Sequence, residues 1–521
     1  MSTLRDRLTS LRPPSAGPLR RLVASEHRWL GIAAVALAVG TAPAFLRTFV
    51  TDDATYVLIA QKLNAGALLY RQAVDNKPPL IYITFAAVLR MFGANALGAM
   101  KLLAIVAQLI SALMVAALDR RLFDTRTGVV GALMFCLAAV SGLAHDVAAP
   151  NTEIFANPFI LSALLLLARD LERSSRRALL TAGLFIGVAS LYRLPSAAAL
   201  LGVLLFLVQG PLSRRERLRA AFHLTAGFAL PLAVAGAYFS LRGTASDAWL
   251  WAVRGNLSYV GVGEAQVGSL ALGRLALLAA AQFPLLIVGT RVAVLWSSTR
   301  EPHRARLRFV LLQLLTALLA YRTGSRFYGH YFLQVVPFLA LVGGWGFLHL
   351  PRRDRRWLRF LPAAMILVLL AFAVVNTVRA QTGPEAGGLM ATVATIQAET
   401  GPNDEVLLWS APAEIAFESR RRFATRFPFN NYLTGRIFGT RYVLPGTTRV
   451  DTYPFENPQG WLLLARDLAV APPAFIVDGD GGEFAIDKYP ALAPFLRTHY
   501  GAPRRLGTFT VYRRRPEQTA F

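Results

Sequence analysis

TDDATYVLIAQKLNAGALLYRQAVDNKPPL, residues Thr51–Leu80, decides how the rest of the chain is read. It opens on two adjacent carboxylates, Asp52 and Asp53, and closes on Asp75, Asn76, Lys77, Pro78 and Pro79. Apolar residues at Val57, Leu58, Leu63, Leu68 and Leu69 make the intervening run weakly amphipathic, which predicts a short helix lying on a membrane surface. The stretch follows directly on the first long apolar segment, Trp29–Val50. An acidic pair and a lysine on a stiff Pro-Pro turn thus stand at the mouth of a membrane protein.

Composition supports the membrane setting. Of 521 residues, 55% are hydrophobic and only 16% charged, against about 25% charged in soluble domains. The mean hydropathy is +0.44, so several helices must lie in lipid. The net charge of +25 would suit nucleic acid, but the arginines recur in short clusters between apolar segments instead of forming one stripe. Nucleic acid is excluded as a partner on that pattern. The single cysteine, Cys136, lies in an apolar run, which excludes intrachain disulfides and thiolate metal sites. Residues 1–28, with Arg5, Arg7, Arg12, Arg20, Arg21 and Arg28, read as a basic cytoplasmic lead to a signal anchor.

Apolar segments continue to Val378, and the basic runs between them fix a topology. RRLFDTR (Arg120–Arg126), RDLERSSRR (Arg169–Arg177), RRERLR (Arg214–Arg219), REPHRARLR (Arg300–Arg308) and RRDRR (Arg352–Arg356) all belong on the cytoplasmic side. Trp29–Val50 carries the chain out and Arg120 must be back inside, so only one crossing fits between them. Pro78–Phe92, about 15 residues or about 22 Å as a helix, is short of the roughly 30 Å hydrocarbon core. It is read as re-entrant or interfacial, with Ala99–Leu118 as the crossing. The expected fold is a polytopic α-helical membrane protein with about eleven crossings within residues 29–378, the N-terminus inside and the C-terminus outside.

Five polar stretches then fall on the outer face: Thr51–Lys77, His145–Glu153, Tyr192–Arg193, Arg242–Gly268 and Arg322–His330. From about Arg379 charged residues, Pro and Gly increase. GPNDEVLLWS reads as turn then strand, PAEIAFESRR as helix, FATRFPF as a second strand, WLLLARDLA as helix and AFIVDGDGGE as strand then turn. Residues 379–521 are therefore expected to form a small extracytoplasmic α/β domain of roughly 140 residues.

The chemistry-bearing residues sit in these outer stretches. Asp52 and Asp53 either mark the polar end of a helix or supply a base; a carboxylate at a partly desolvated bilayer edge can take a proton from a hydroxyl. Lys77 is either a snorkelling lysine or the partner of an anionic lipid head. Its outer position runs against the positive-inside rule and favours the anion. His145, Asp146, Asn151 and Glu153 form a second acidic loop, in which Asn151 and Glu153 also suit a helix start. Arg193, and Arg322, Arg326, Tyr328, His330 and Tyr331 in RTGSRFYGHYF, pair guanidinium groups with rings, as phosphate and sugar binding require. An aromatic belt accounts for the tyrosines but not the arginines. No P-loop, GxGxxG, HExxH or GxSxG stands in its proper setting, so no nucleotide cofactor is implied. A divalent metal at Asp52, His145, Asp146 or Glu153 is geometrically conceivable, without a spacing signature.

With these residues in view, Thr51–Gly93 resembles the polytopic GT-C glycosyltransferases. The nearest branch is the bacterial one related to protein O-mannosyltransferases and to the lipid A aminoarabinose transferase. PNTEIFANPF (Pro150–Phe159), LYRLP (Leu191–Pro195) and GSRFYGHYFLQVVPFLAL (Gly324–Leu341) extend the resemblance. It implies inverting transfer of a sugar from a polyprenyl-phosphate donor, outside the cytoplasmic (inner) membrane, to a glycan, lipid or protein acceptor. Asp53 or Asp52 takes the place of the loop carboxylate that activates the acceptor, with Asp53 preferred. Lys77 takes that of the lysine near the donor phosphate, with Arg193 or Arg326 as partners. Asp146 and Glu153 fall where a second acidic group is found. Asn76 stands where relatives carry Glu, and Asp75 is the substitute. Asp75, Asp146, Glu153, Tyr328, His330 and Tyr331 are expected to contact substrate. The competing class is a flippase or transporter of a lipid-linked or anionic solute, which requires paired charges within helices and internal symmetry; the sequence shows neither.

Overall fold

The computed structural model describes residues 29, 31–46, 52–168, 175–210, 212–257, 260, 269–323, 326–382, 385–434 and 457–516. The expected basic lead, residues 1–28, lies outside the described residues, as does most of the basic run 169–177. The chain is mostly helical with one small sheet. The longer helices are α1 (Gly31–Leu46), α2 (Asp52–Asn64), α3 (Leu80–Phe92), α4 (Ala96–Leu122), α5 (Thr125–Ala139), α6 (Thr152–Ala168) and α7 (Arg176–Tyr192). They continue with α8 (Ala198–Gln209), α9 (Arg214–Leu241), α10 (Ser269–Leu295), α11 (His303–Arg322), α12 (Val336–His349), α13 (Leu361–Thr382) and α14 (Glu385–Glu399).

Among the described residues, four helices are long and apolar enough to cross a membrane: Ala96–Leu122, Arg214–Leu241, Ala271–Ser298 and Arg356–Gln381. Each has 26 to 28 residues, about 40 Å, which exceeds the roughly 30 Å core. Shorter apolar helices of 10–17 residues stand beside them. Helix length alone therefore supports fewer crossings than the count of about eleven read from hydropathy. α3 has 13 residues, about 20 Å, which is short of a crossing.

The basic runs expected in loops lie largely in helix ends. Arg120 and Arg121 close α4, where positive charge opposes the helix dipole favourably. Arg214 opens α9, where it is unfavourable, and a capping box offsets it. Ser213 Oγ accepts from Glu216 N at 3.3 Å and Glu216 Oε2 accepts from Ser213 N at 2.9 Å. α7 and α9 meet through small residues: a Cβ at Gly183 would lie 2.0 Å from the Leu224 carbonyl, and one at Gly227 2.0 Å from that of Leu180. The spacing Gly183–Gly187 is the small-xxx-small pattern that lets membrane helices approach backbone to backbone.

α2 departs from the surface helix expected of it. Every residue from Asp53 to Ala60 is buried, so it has no solvent stripe. α3 packs on one side, with Tyr56 edge-on to Tyr82 and Phe85. The C-terminal residues share its apolar cluster on the other. The long-range partners, which a local pattern does not contain, bury Asp53–Ala60.

The sheet has strand order β2-β1-β3-β5-β4, with β1 (Glu405–Trp409), β2 (Arg422–Phe423), β3 (Phe475–Asp478), β4 (Arg504–Leu506) and β5 (Phe509–Arg513). β1 runs parallel to β2 and β3, and β5 antiparallel to β3 and β4. The strands read in VLLW and AFIVD and the helices read in PAEIAFESRR and WLLLARDLA are present. FATRFPF is not a strand beyond Phe423. Thr425 turns onto the Phe427 carbonyl, and Arg426 leaves the sheet to bind Asp467 at 2.6 Å and the Arg71 carbonyl at 2.8 Å. Val74 N donates to the Arg426 carbonyl at 2.8 Å. The stretch between α2 and α3 is thus fastened to the sheet region.

Candidate active site

Asp52 is the first residue of α2. Its Oδ2 accepts from the Tyr56 hydroxyl, one turn on, at 3.3 Å and lies 3.7 Å from Lys77 Nζ. The structure separates it from its neighbour. The Asp52 side chain is 31% exposed, whereas Asp53 is 0% exposed. Asp53 Oδ1 accepts from Ala54 N, and its charge acts on Lys101. Lys101 is buried in α4 and donates to the Ala44 carbonyl at 2.8 Å.

Two buried tyrosines hold the main chain that carries Lys77. The Tyr70 hydroxyl donates to the Lys77 carbonyl at 2.8 Å. The Tyr82 hydroxyl accepts from Lys77 N at 3.2 Å and donates to Asp75 Oδ2 at 2.5 Å. Asp75 Oδ1 accepts from Asn76 N at 2.7 Å. Tyr70 has φ of 67°, a left-handed conformation that costs a non-glycine residue about 1–2 kcal/mol and that this bonding fixes. Burial, reinforced by Asp75, pushes the Tyr70 phenol upward, so it remains a donor.

A second group faces the first. Arg193, just after α7, pairs Nε with Glu153 Oε1 of α6 at 2.6 Å, both side chains buried. Arg193 also donates to Gln334 Oε1. The Tyr331 ring lies under both cations, 4.8 Å from the Arg193 guanidinium carbon and 6.0 Å from Lys77 Nζ. Its edge neighbour His330 is held by Asp146, whose Oδ1 accepts from His330 N at 3.0 Å and lies 3.2 Å from His330 Nδ1. His145 Nε2 approaches Asp146 Oδ2 at 3.5 Å. Burial pushes the Asp146 carboxyl up, but the His330 hydrogen bond and the His145 charge outweigh it and hold it below the usual range. Burial holds His145 below its own usual value. A side chain at residue 329 would put Cβ 2.4 Å from Asp146 Oδ2, so glycine is required there.

Tyr56 links the two groups. Burial, then the charges of Asp52, Asp75 and Glu153, then Tyr331, push its phenol upward. Asp52, Lys77, Arg193, Glu153 and Tyr331 therefore form one connected cluster, with His330, Asp146 and Tyr328 adjoining it through Tyr331. Asp75 lies behind Lys77. Arg326 joins less directly: it is buried, and its carbonyl accepts from Arg274 at 2.9 Å while Arg274 covers Tyr328 at 4.1 Å. All five polar stretches expected on one face converge, since Arg71 pairs with Asp247 at 2.8 Å and Asn256 donates to the Asn76 carbonyl. Among the described residues no three His, Cys, Asp or Glu side chains gather as a metal cage.

Sequence reasoning missed Tyr56, Tyr82, Gln334 and Arg274. Tyr56 was legible, four residues after Asp52 on one helix face. Gln334 and Arg274 carry no local signal; tertiary packing alone brings them in.

Residues 76–239 match the family model of dolichyl-phosphate-mannose-protein mannosyltransferase. That span includes Lys77, Asp146, Glu153 and Arg193. The chain shares its fold with ArnT from Cupriavidus metallidurans bound to undecaprenyl phosphate, at 16% identity and TM-score 0.61, covering 96% of this chain and 98% of that one. It is also similar to the apo Archaeoglobus fulgidus oligosaccharyltransferase, at 14% identity and TM-score 0.52, covering 95% of this chain and 75% of that one. No curated protein sequence matches. The resemblance to GT-C glycosyltransferases read from the sequence is borne out by the family model and these folds.

Proposed function

We propose that this chain, with its GT-C fold, is a membrane glycosyltransferase. It moves a sugar from a polyprenyl-phosphate donor to an acceptor hydroxyl at the outer face of the cytoplasmic membrane, where the sheet region also lies. The observation that carries this reading is one cluster holding a part-exposed carboxylate, Asp52, 3.7 Å from a lysine whose main chain is clamped, with a buried arginine and a tyrosine face beside it. The fold adds support, because the ArnT structure is bound to undecaprenyl phosphate.

The donor phosphate rests against Lys77, with Arg193 beside it and the Tyr331 face toward the sugar. An acceptor hydroxyl approaches Asp52. Its O–H bond breaks as Asp52 takes the proton, the acceptor oxygen forms a bond to the anomeric carbon, and the anomeric carbon–phosphate oxygen bond breaks. The electron pair leaves on the polyprenyl phosphate, whose charge Lys77 and Arg193 stabilise. The burial of Asp53 favours Asp52 as the base in place of Asp53, because a base must reach the proton it takes.

Purified protein in liposomes, offered a panel of polyprenyl-phosphate sugars and candidate acceptors, tests this. Protein-dependent release of free polyprenyl phosphate is expected. Movement of labelled lipid across the bilayer with no release from any donor would overturn it.

A further inference from the structure

A cavity of about 1230 Å3 lies away from the Asp52–Lys77 cluster. It lies around the other end of α2, between Lys62 and the edge strand β2, above the start of the spanning helix α4. Lys62 lies ten positions after Asp52 along the helix, about 15 Å, so the two sites are distinct.

Its lining is divided. Leu58, Leu89, Leu97 and Phe417 supply apolar surface, and Lys62, Arg420, Arg421 and Arg422 supply positive charge. Glu405 and Glu418 also line it, which leaves the basic groups in excess. Arg421 is engaged, donating to the Ser419, Gln397 and Thr400 carbonyls and to the Thr400 hydroxyl. Arg422 gives one guanidinium nitrogen to the Asn403 carbonyl and is otherwise exposed, as Arg420 is. Lys62 Nζ lies 5.7 Å from the Phe423 ring centroid. The charges of Glu405 and Asp467 act on it, but among the described residues no carboxylate lies within 4 Å of it. A half-buried lysine and exposed arginines above apolar walls, at the head of a membrane-crossing helix, are complementary to an anionic head carrying an apolar tail.

We infer that this cavity is a second binding site, which takes a phosphate-headed amphiphile with its head on Lys62 and Arg422 and its tail against Leu89 and Leu97. The site stands apart from the transfer reaction, so binding reads it out whether or not sugar transfer is observed.

The test is saturation binding to the whole chain in phosphatidylcholine nanodiscs, with dodecyl phosphate, dodecyl maltoside and inorganic phosphate as separate probes. Saturable dodecyl phosphate binding is expected, at least tenfold tighter than either other probe. Lys62→Gln combined with Arg422→Gln should weaken it at least tenfold. Gly98→Trp should do the same without changing a charge, because Gly98 lines the cavity and a Cβ there meets nothing within 4 Å. Lys77→Ala, which removes binding of the probe at the reaction cluster, should leave this component of the binding in place, and the other variants are read in that background. Equal binding of inorganic phosphate would make the site one for free anions and overturn the amphiphile assignment. Equal binding of dodecyl maltoside would remove the role of the cations. Binding lost in Lys77→Ala but kept in Gly98→Trp would place the amphiphile at the reaction cluster and overturn the second site.

Discussion

Arg193 and Glu153 meet at 2.6 Å, Nε to Oε1, with both side chains almost wholly out of solvent. They join the end of α7 to the start of α6. Removing one partner strands a buried charge, which typically costs about 3–5 kcal/mol. Glu153→Ala and Arg193→Ala are each expected to lower the thermal unfolding temperature in detergent sharply, and the double variant less than the sum of the two. Single variants that melt with the wild type would show the pair to be solvated.

Tyr82 joins a buried carboxylate to the main chain of Lys77. Tyr82→Phe deletes one hydroxyl and leaves the ring packed against Tyr56. A lost buried hydrogen bond of this kind costs about 1–3 kcal/mol. The donor KM should rise more than kcat falls, because the lysine loses its fixed direction while the base is untouched. An equal loss in kcat with KM unchanged would argue against a positioning role.

Tyr331 lies under two cations, so it orders them and, in the proposed reaction, offers a ring to the sugar. Tyr331→Leu keeps apolar bulk and removes the ring. Cation–π contacts contribute about 0.5–2 kcal/mol, so donor affinity should fall about 2- to 30-fold by equilibrium titration. Unchanged affinity would confine Tyr331 to packing.

Away from the site, the Asp478 carboxyl on β3 is pushed up to about 7 by burial, against backbone N–H bonds from Ile486 and Asp480. An unfolded aspartate titrates near about 3.9. Between those values the folded chain holds a proton that the unfolded chain has lost, so this group's contribution to stability falls as pH rises through the window. The melting temperature of Asp478→Asn minus that of wild type should therefore climb from about pH 4 to about pH 7 and then level off. A difference independent of pH would contradict the buried titration.

The sequence indicated which polar stretches come together more clearly than how the candidate cluster is built. The polar stretches were legible because charges between apolar segments follow a topology rule; Lys77, Asp52 and Arg193 came from two of them and Tyr331 from the residue adjoining a third. Which aspartate faces the cluster was not legible: adjacent helical residues diverge by about 100°, and only the packing of α3 and α4 decides which is covered. The same limit misread α2 as a surface helix, since its second partner, around Glu414–Glu418, lies some 350 residues on along the chain. The β4–β5 hairpin was passed over as well. Its turn is marked by Gly507 at φ 59°, followed by the alternately buried Phe509 and Val511, a signal of glycine before period-two alternation.

In the proposed reaction Asp52 takes the acceptor proton beside a phosphate held by Lys77. The most direct measurement is single-turnover release of polyprenyl phosphate from a bound donor, for wild type, Asp52→Asn, Asp53→Asn and Lys77→Ala, each checked by thermal melt. Loss of a general base typically lowers the rate about 10²- to 10⁴-fold. Asp52→Asn is predicted to show that loss with donor affinity retained, Lys77→Ala to lose donor affinity, and Asp53→Asn to keep the chemistry wherever it folds. Full-rate release by a folded Asp52→Asn variant, with the loss appearing in Asp53→Asn, would make Asp53 the base and rule out Asp52.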